Sequence, residues 1–295
     1  MNKTAKFDPN SVTDFTVTDP ICLDPNFPYE HFVTHFMSGG SVVHAMVWIA
    51  QGNKPRGTAI LATQWYGGDR LESLIIPLMA SGINVVTFHP RGMWDNQHNY
   101  TLNSATDDLL AAAAFVRSTA DASVRTPGGR PWRTDPARIA TMGLSGGGGQ
   151  VSISACAEDP QIMAAIAMAP NAMLTPSAPE FLEMMRPAFE AVKAHTAGRI
   201  DMEKSMGAIT EDERKRMSPV ERAPHLVGKN ILLVGAMYDS VSPLDPNHWA
   251  IAKAMRDAGV EGFQDVILES DHAFLTKRIA LARVIIGWLR HQCGF

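Results

Sequence analysis

Cysteine is scarce in this chain: Cys22, Cys156 and Cys293 are its only three. An odd number without ligand spacing speaks against a disulfide framework or a zinc site, so reduced thiols and no bound metal are expected. Charge of one sign is also missing. Lys and Arg total 26 against 30 Asp and Glu, a formal net charge of -4, which leaves no basic footprint for nucleic acid and no polybasic membrane patch. Long apolar runs are absent. The segment IALARVIIGWL near the C-terminus is too short to span a bilayer and carries Arg283, so it reads as an amphipathic core helix. The opening MNKTAKFDPNSVTDF lacks the apolar stretch of a secretory signal, and a cytoplasmic location is expected. No internal repeat or low-complexity linker divides the 295 residues, so one large domain with insertions is simpler than two domains. What remains is an ordinary globular composition, 45% hydrophobic and 19% charged, suited to a small-molecule or peptide partner.

Along the chain, residues 1–29 read as an irregular arm, because Asp-Pro recurs at 8–9, 19–20 and 24–25 and a residue before proline avoids helix. HFVTHFMS and SVVHAMVWIA flank Gly39 and Gly40, which predicts a β-hairpin. Strands and helices then alternate. Strands are predicted at 57–63, 83–89, 137–143, 163–170, 230–239 and 264–270, and helices at 72–82, 106–118, 247–259 and the C-terminus. That rhythm means an α/β fold with a mostly parallel sheet, helices on both faces and an antiparallel edge from the hairpin. Residues 171–229 interrupt it. Their helical spacing of Phe181, Met184, Met185, Ala188, Phe189 and Val192 predicts a helix. Thr210 followed by Glu213 predicts a capping box opening a second one. The segment reads as a small helical cap inserted into the domain.

Within IATMGLSGGGGQ, residues Gly143, Leu144, Ser145, Gly146 and Gly147 satisfy G-x-S-x-G between a predicted strand and a predicted helix. That context suits a nucleophile on a sharp strand-to-helix turn. Gly143 and Gly147 relieve collisions around such a turn, and Gly148 and Gly149 let the helix approach the sheet closely. A Walker A loop would need Lys and Ser or Thr after the glycines, where Gln150 and Val151 stand. A dinucleotide fingerprint fails at Val151, which should be glycine.

A serine hydroxyl needs a base, and the base needs an orienting carboxylate. His272 is the one histidine of ten that follows Ser145 and sits directly after a predicted strand. Asp239, at the end of the strand NILLVGAMYD, is the preferred acid. Asp271 adjoins His272 too closely to reach its ring and fits the loop turn. Asp245 is the fallback acid, although Asp245-Pro246 suits a helix start. An oxyanion would take one donor from the Gly146 N–H and another from the loop QWYGGDR, with Tyr66 N–H first and Trp65 next.

These motifs identify a resemblance to the α/β-hydrolase superfamily across residues 35–292, carried by GLSGGG, MYDSVSP, SDHAF and FHPRGMWDN. SPVERAPHLVGKNILLVGAMYD is similar to the approach to the acid strand in dienelactone-hydrolase-like and prolyl-oligopeptidase-like members. His89 replaces the acid of the usual Asp-x-Arg-Gly segment, and Gln64 and Trp65 replace the usual His-Gly of the oxyanion loop. The resemblance implies an acyl-Ser145 intermediate, water as acceptor and no cofactor. A carboxylic-ester hydrolase acting on a small or medium, moderately apolar ester leads. Peptidase or amidase, acyltransferase and a non-catalytic binding protein are the other readings, since one fold serves many reactions. Trp65, Trp94, Met184, Met185 and Phe189 would line an apolar substrate pocket; the three on the cap equally suit packing of their own helix. The oligomeric state is open. The arm can pack on its own domain or on a neighbour in a homodimer.

Overall fold

In the computed structural model the residues described are 14, 16–17, 24–62, 71–93, 100–173, 179–195, 201 and 210–295. The predicted hairpin forms β1 (Glu30–Ser38) and β2 (Ser41–Ile49), paired in antiparallel register from Ser38↔Ser41 to Glu30↔Ile49. Gly39 and Gly40, at φ 53° and 81°, supply the left-handed backbone that a tight two-residue hairpin turn requires. Then come β3 (Arg56–Ala62), α1 (Glu72–Ala80), β4 (Asn84–Phe88), α2 (Leu102–Ser118) and β5 (Thr134–Leu144). A wide helical turn, Gly146–Gln150, leads into α3 (Val151–Glu158), followed by β6 (Ala164–Met168). Between β6 and β7 lie α4 (Pro179–His195), α5 (Glu211–Met217) and the short α6 (Pro219–Arg222). β7 (Asn230–Ala236), α7 (Trp249–Asp257), β8 (Gly262–Leu268) and α8 (Arg278–Cys293) complete the order.

The eight strands form one sheet in the order β1-β2-β4-β3-β5-β6-β7-β8. β2 is antiparallel to both its neighbours, and every pairing from β4 to β8 is parallel. Side chains alternate between two apolar layers, as the period of two along a strand demands. Ile60 of β3, Ala165 and Ala167 of β6 and Leu233 of β7 join α2, α3 and α7 in one layer. Ala59 and Leu61, Ile166 and Met168, Leu232 and Val234 join α1 and α8 in the other. The buried faces explain why these strands read as nearly continuous hydrophobic runs.

Local chemistry shifts some boundaries from those expected. α2 begins at Leu102, four residues ahead of 106, because Thr101 and Ser104 form a reciprocal capping box with both bonds at 3.0 Å. The box expected at Thr210 and Glu213 is present and opens α5. β7 stops at Ala236, so Asp239 lies in a turn beyond the strand rather than at its end. The close approach of α3's entry to the sheet involves Gly148 and Gly149, the two glycines expected to allow it. A β-carbon on Gly143 would overlap the Gly148 backbone, and one on Gly148 would lie 2.8 Å from the Ala62 carbonyl oxygen. A Gly149 β-carbon would sit 3.4 Å from the Met168 carbonyl. Cys156 and Cys293 are free and buried, and burial pushes each thiol up to about 12.

Candidate active site

The carboxyl ends of the parallel strands gather at one sheet edge, where open α/β sheets place their sites. β5 pairs Gly143 with Ala62 on one side and Leu144 with Met168 on the other. Ser145 is the next residue, at φ 61° and ψ -159°. That region belongs almost wholly to glycine and costs of order 1–3 kcal/mol for another residue. The strain is sustained because Gly143 and Gly148 lock backbone on backbone around it. Leu144 and Gly146 are buried, and Ser145 between them is partly exposed.

On β7 and β8 the backbone pairing continues past the strand ends. Met237 N–H donates to the Leu268 carbonyl at 2.8 Å, and Tyr238 N–H to that of Ser270 at 3.0 Å. This ladder brings the two following loops together. His272 Nδ1 lies 2.7 Å from Asp239 Oδ2, with the Asp239 side chain wholly buried and that of His272 13% exposed. Asp239 Oδ1 accepts from the N–H groups of Val241 at 2.8 Å and Ser242 at 2.7 Å. With Asp239 Oδ2 accepting at Nδ1, the proton of a neutral imidazole sits on Nδ1 and the lone pair on Nε2. Asp271 does not join this pair. Its Oδ1 accepts from Ala273 N–H at 3.1 Å and Leu275 N–H at 3.0 Å, which closes the loop turn. Asp245 is exposed in the turn ahead of α7.

Several supporting residues carried no signal in the sequence. Gln150, buried beside the serine turn, accepts from Asn171 N–H at 3.3 Å and donates to the Met217 carbonyl at 3.4 Å. Ser242 Oγ donates to the Pro170 carbonyl at 2.9 Å, and Asn247 Oδ1 accepts from Ala172 N–H at 3.1 Å. Arg214 Nη1 and Ser218 Oγ hold the carbonyls of Met173 and Ala172 at 2.6 and 2.8 Å. The chain leaving β6, residues 170–173, is thus fastened to the serine turn, the acid loop and the helices α5 and α6. Phe274, at φ 54° and fully buried, anchors the histidine loop in the core. Only its apolar character within SDHAF hinted at that. A second histidine–carboxylate pair, His248 Nε2 to Asp265 Oδ2 at 3.4 Å, lies at α7 and β8.

Of the other expected site residues, Trp65, Tyr66 and Trp94 lie outside the described residues. Met184 and Met185 are on α4, with side chains outside what is described. Phe189 is 3% exposed and belongs to the α2–α3 core layer. Among the described residues no group of three or more His, Cys, Asp or Glu is arranged to hold a metal ion. Nor is any described helix long and apolar enough to cross a membrane.

No family model and no curated protein matches the sequence. Solved structures do. A hyperthermophilic esterase from the archaeon Pyrobaculum calidifontis is 18% identical with a TM-score of 0.66, over 91% of this chain and 88% of that one. An esterase of Pyrococcus furiosus is 14% identical at 0.65, over 93% and 97%. An acylaminoacyl peptidase of Pyrococcus horikoshii is 14% identical at 0.65, and the match covers 90% of this chain but only 42% of the peptidase. The strand order and these likenesses establish the α/β-hydrolase fold.

Proposed function

We propose that this chain is a serine hydrolase that cleaves a carboxylic ester through an acyl-Ser145 intermediate. The observation that carries the reading is the 2.7 Å pair of His272 and buried Asp239 at the sheet edge where Ser145 occupies a strained, glycine-packed turn. His272 Nε2 takes the Ser145 proton as Oγ attacks the ester carbonyl. Asp239 holds the ring and stabilises the imidazolium that forms. The carbonyl electron pair moves to oxygen, where Gly146 N–H and a donor from the 64–70 loop, Tyr66 or Trp65, stabilise it. Collapse expels the alkoxide, which takes the proton from His272. Water, deprotonated by the same nitrogen, then attacks the acyl-serine, and the second collapse returns the proton to Ser145.

In this reading residues 171–229 form a cap over the site and 1–29 an arm on a single domain. Substrate contacts come from Trp65, Trp94, Met184 and Met185, without cofactor, while Phe189, expected among them, packs into the core layer. Peptide or amide cleavage is the second reading, favoured by the likeness to the peptidase. The test is labelling by a fluorophosphonate probe, with turnover of p-nitrophenyl esters measured beside aminoacyl anilides. Ester turnover is expected to exceed anilide turnover, and Ser145→Ala is expected to abolish labelling and reduce turnover by about 10³-fold or more. Labelling that survives Ser145→Ala would overturn the nucleophile assignment; anilides preferred over esters would favour the peptidase. Product formed faster on adding an alcohol acceptor would indicate acyl transfer.

A further inference from the structure

The hairpin at the sheet edge has one face built into the core and one left outside it. Phe36, Val43, Ala45 and Val47 point inward, each 5% exposed or less. The opposite face alternates with them, and the register sets His35 directly across from His44 there, both rings exposed. The kind of pairing follows from the turn. In a two-residue hairpin the closing pair, here Ser38↔Ser41, exchanges both hydrogen bonds, and alternation from it makes 35↔44 a non-hydrogen-bonded pair. An independent contact agrees. The His44 carbonyl accepts from His89 N–H at 3.2 Å, so the His44 backbone is turned toward β4 and away from β1.

In such a pair the α-carbons stand about 4.5 Å apart and the side chains are at their closest. Two imidazoles leaving one face at that spacing can place a ring nitrogen each at about 2.0–2.1 Å from a shared ion. One step along the same face on either strand stand Met37 and Met46, exposed by 58% and 39%. Their thioethers are soft donors on flexible stems. Imidazole suits zinc, nickel and copper, affinity among divalent ions peaks at Cu²⁺, and thioether sulfur favours Cu⁺.

We propose that His35 and His44 form a two-histidine transition-metal site on the outer face of the β1–β2 hairpin, with copper the favoured ion and Met37 and Met46 as auxiliary donors. Binding exchanges water on the ion for imidazole nitrogen, with no change of oxidation state. Water completes the coordination of Cu²⁺, and the thioethers contribute to Cu⁺.

Titration of the full chain with Cu²⁺ against a competing chelator, with electron paramagnetic resonance of the bound ion, tests this. The expected result is one ion per chain at this site with nitrogen coupling from two imidazoles. His35→Asn or His44→Asn should each weaken it by about tenfold or more, no less than the loss of an outer-shell partner costs a metal site. The double variant should be little worse than either single one, because either substitution breaks the chelate. Both side chains are exposed, so circular dichroism and ester turnover should remain at the parent level. Met37→Leu with Met46→Leu should weaken Cu⁺ and leave Cu²⁺ nearly unchanged. Copper that binds the two single histidine variants as it binds the parent would belong to other histidines among the ten and would overturn the proposal. Independent, additive losses from the two substitutions would overturn the chelate.

Discussion

Ser145 holds a backbone conformation that serine avoids, and the cost is met by glycines that bring two chain segments into contact. The Gly148 α-carbon is the point of closest approach: an added methyl would stand 2.8 Å from the Ala62 carbonyl and 2.9 Å from the Gly143 α-carbon. Both neighbours are backbone held in the central strands, so neither can move aside cheaply. Gly148→Ala is therefore expected to destabilise the fold by about 1–3 kcal/mol, the range for overpacking a well-filled interior. Urea denaturation of the variant beside the parent measures it. An unchanged midpoint would show that the helix can back away from the sheet. The sequence motif marked the serine by pattern and Gly148 as a point of close helix approach; that the contact is made with the Ala62 carbonyl and Gly143 depends on how the strands are set side by side.

At the scale of elements, α7 and β8 are joined by a buried histidine and two charges. Asp265 accepts from His248 at 3.4 Å and from Arg256 Nη2 at 2.7 Å. The hydrogen bond from His248 first, and the Arg256 charge with it, hold this carboxyl below its ordinary value of 3.8 against the opposing effect of burial. A depressed value in the folded state means that the ionised form is favoured by folding. Its contribution is present in full above the unfolded value and is lost as pH falls through the lower, folded one. Asp265→Asn should accordingly lower stability at neutral pH, with the gap to the parent closing as pH drops below the usual carboxylate range. Denaturant midpoints of both proteins across that range check the sign; a gap constant with pH would refute the ionic contribution. Strand β8 and helix α7 were each readable from periodicity. Their polar link was not, because a histidine at the start of a helix and an aspartate within a strand have no sequence spacing that joins them.

Across the whole molecule, Arg91 connects the exit of β4, the helix α2 and the hairpin turn. Its Nε lies 2.6 Å from Asp108 Oδ1, whose side chain is wholly buried, and its N–H donates to Asp108 Oδ2 at 2.8 Å. A side chain at Gly39 would run into its guanidinium. Three parts of the chain that are distant in sequence share this one cation. Replacing Asp108 by Ala removes the buried partner of a largely buried cation, leaving it the half-exposed Asp107 at 3.9 Å and the Ser104 carbonyl, and a loss of about 3 kcal/mol is expected. A lowered melting temperature should accompany reduced ester turnover, since the β4 exit lies on the active-site edge. A variant as stable as the parent would place the hold elsewhere. The sequence showed Arg91 only through the resemblance of FHPRGMWDN to a family segment, with His89 in place of its acid. The carboxylate that receives the arginine lies 17 residues on, in the helix predicted at 106–118, with nothing in the sequence to join the two.

What the sequence determined by itself is the alternation of elements, the hairpin, and the candidates Ser145, Asp239 and His272. Strand and helix periods are local, and G-x-S-x-G states its own turn. The capping box at Thr210 and the buried strands were legible for the same reason. Tertiary structure decided everything that joins distant segments. It set β7 and β8 side by side, so that Asp239 and not Asp271 or Asp245 meets the His272 ring. It tied residues 170–172, just after β6, to Ser242, Gln150 and Asn247. It also put His35 opposite His44, since a one-residue change of register would turn every side chain of the hairpin to the other face. These outcomes rest on crossovers and strand register, which depend on how whole elements pack rather than on any run of neighbouring residues.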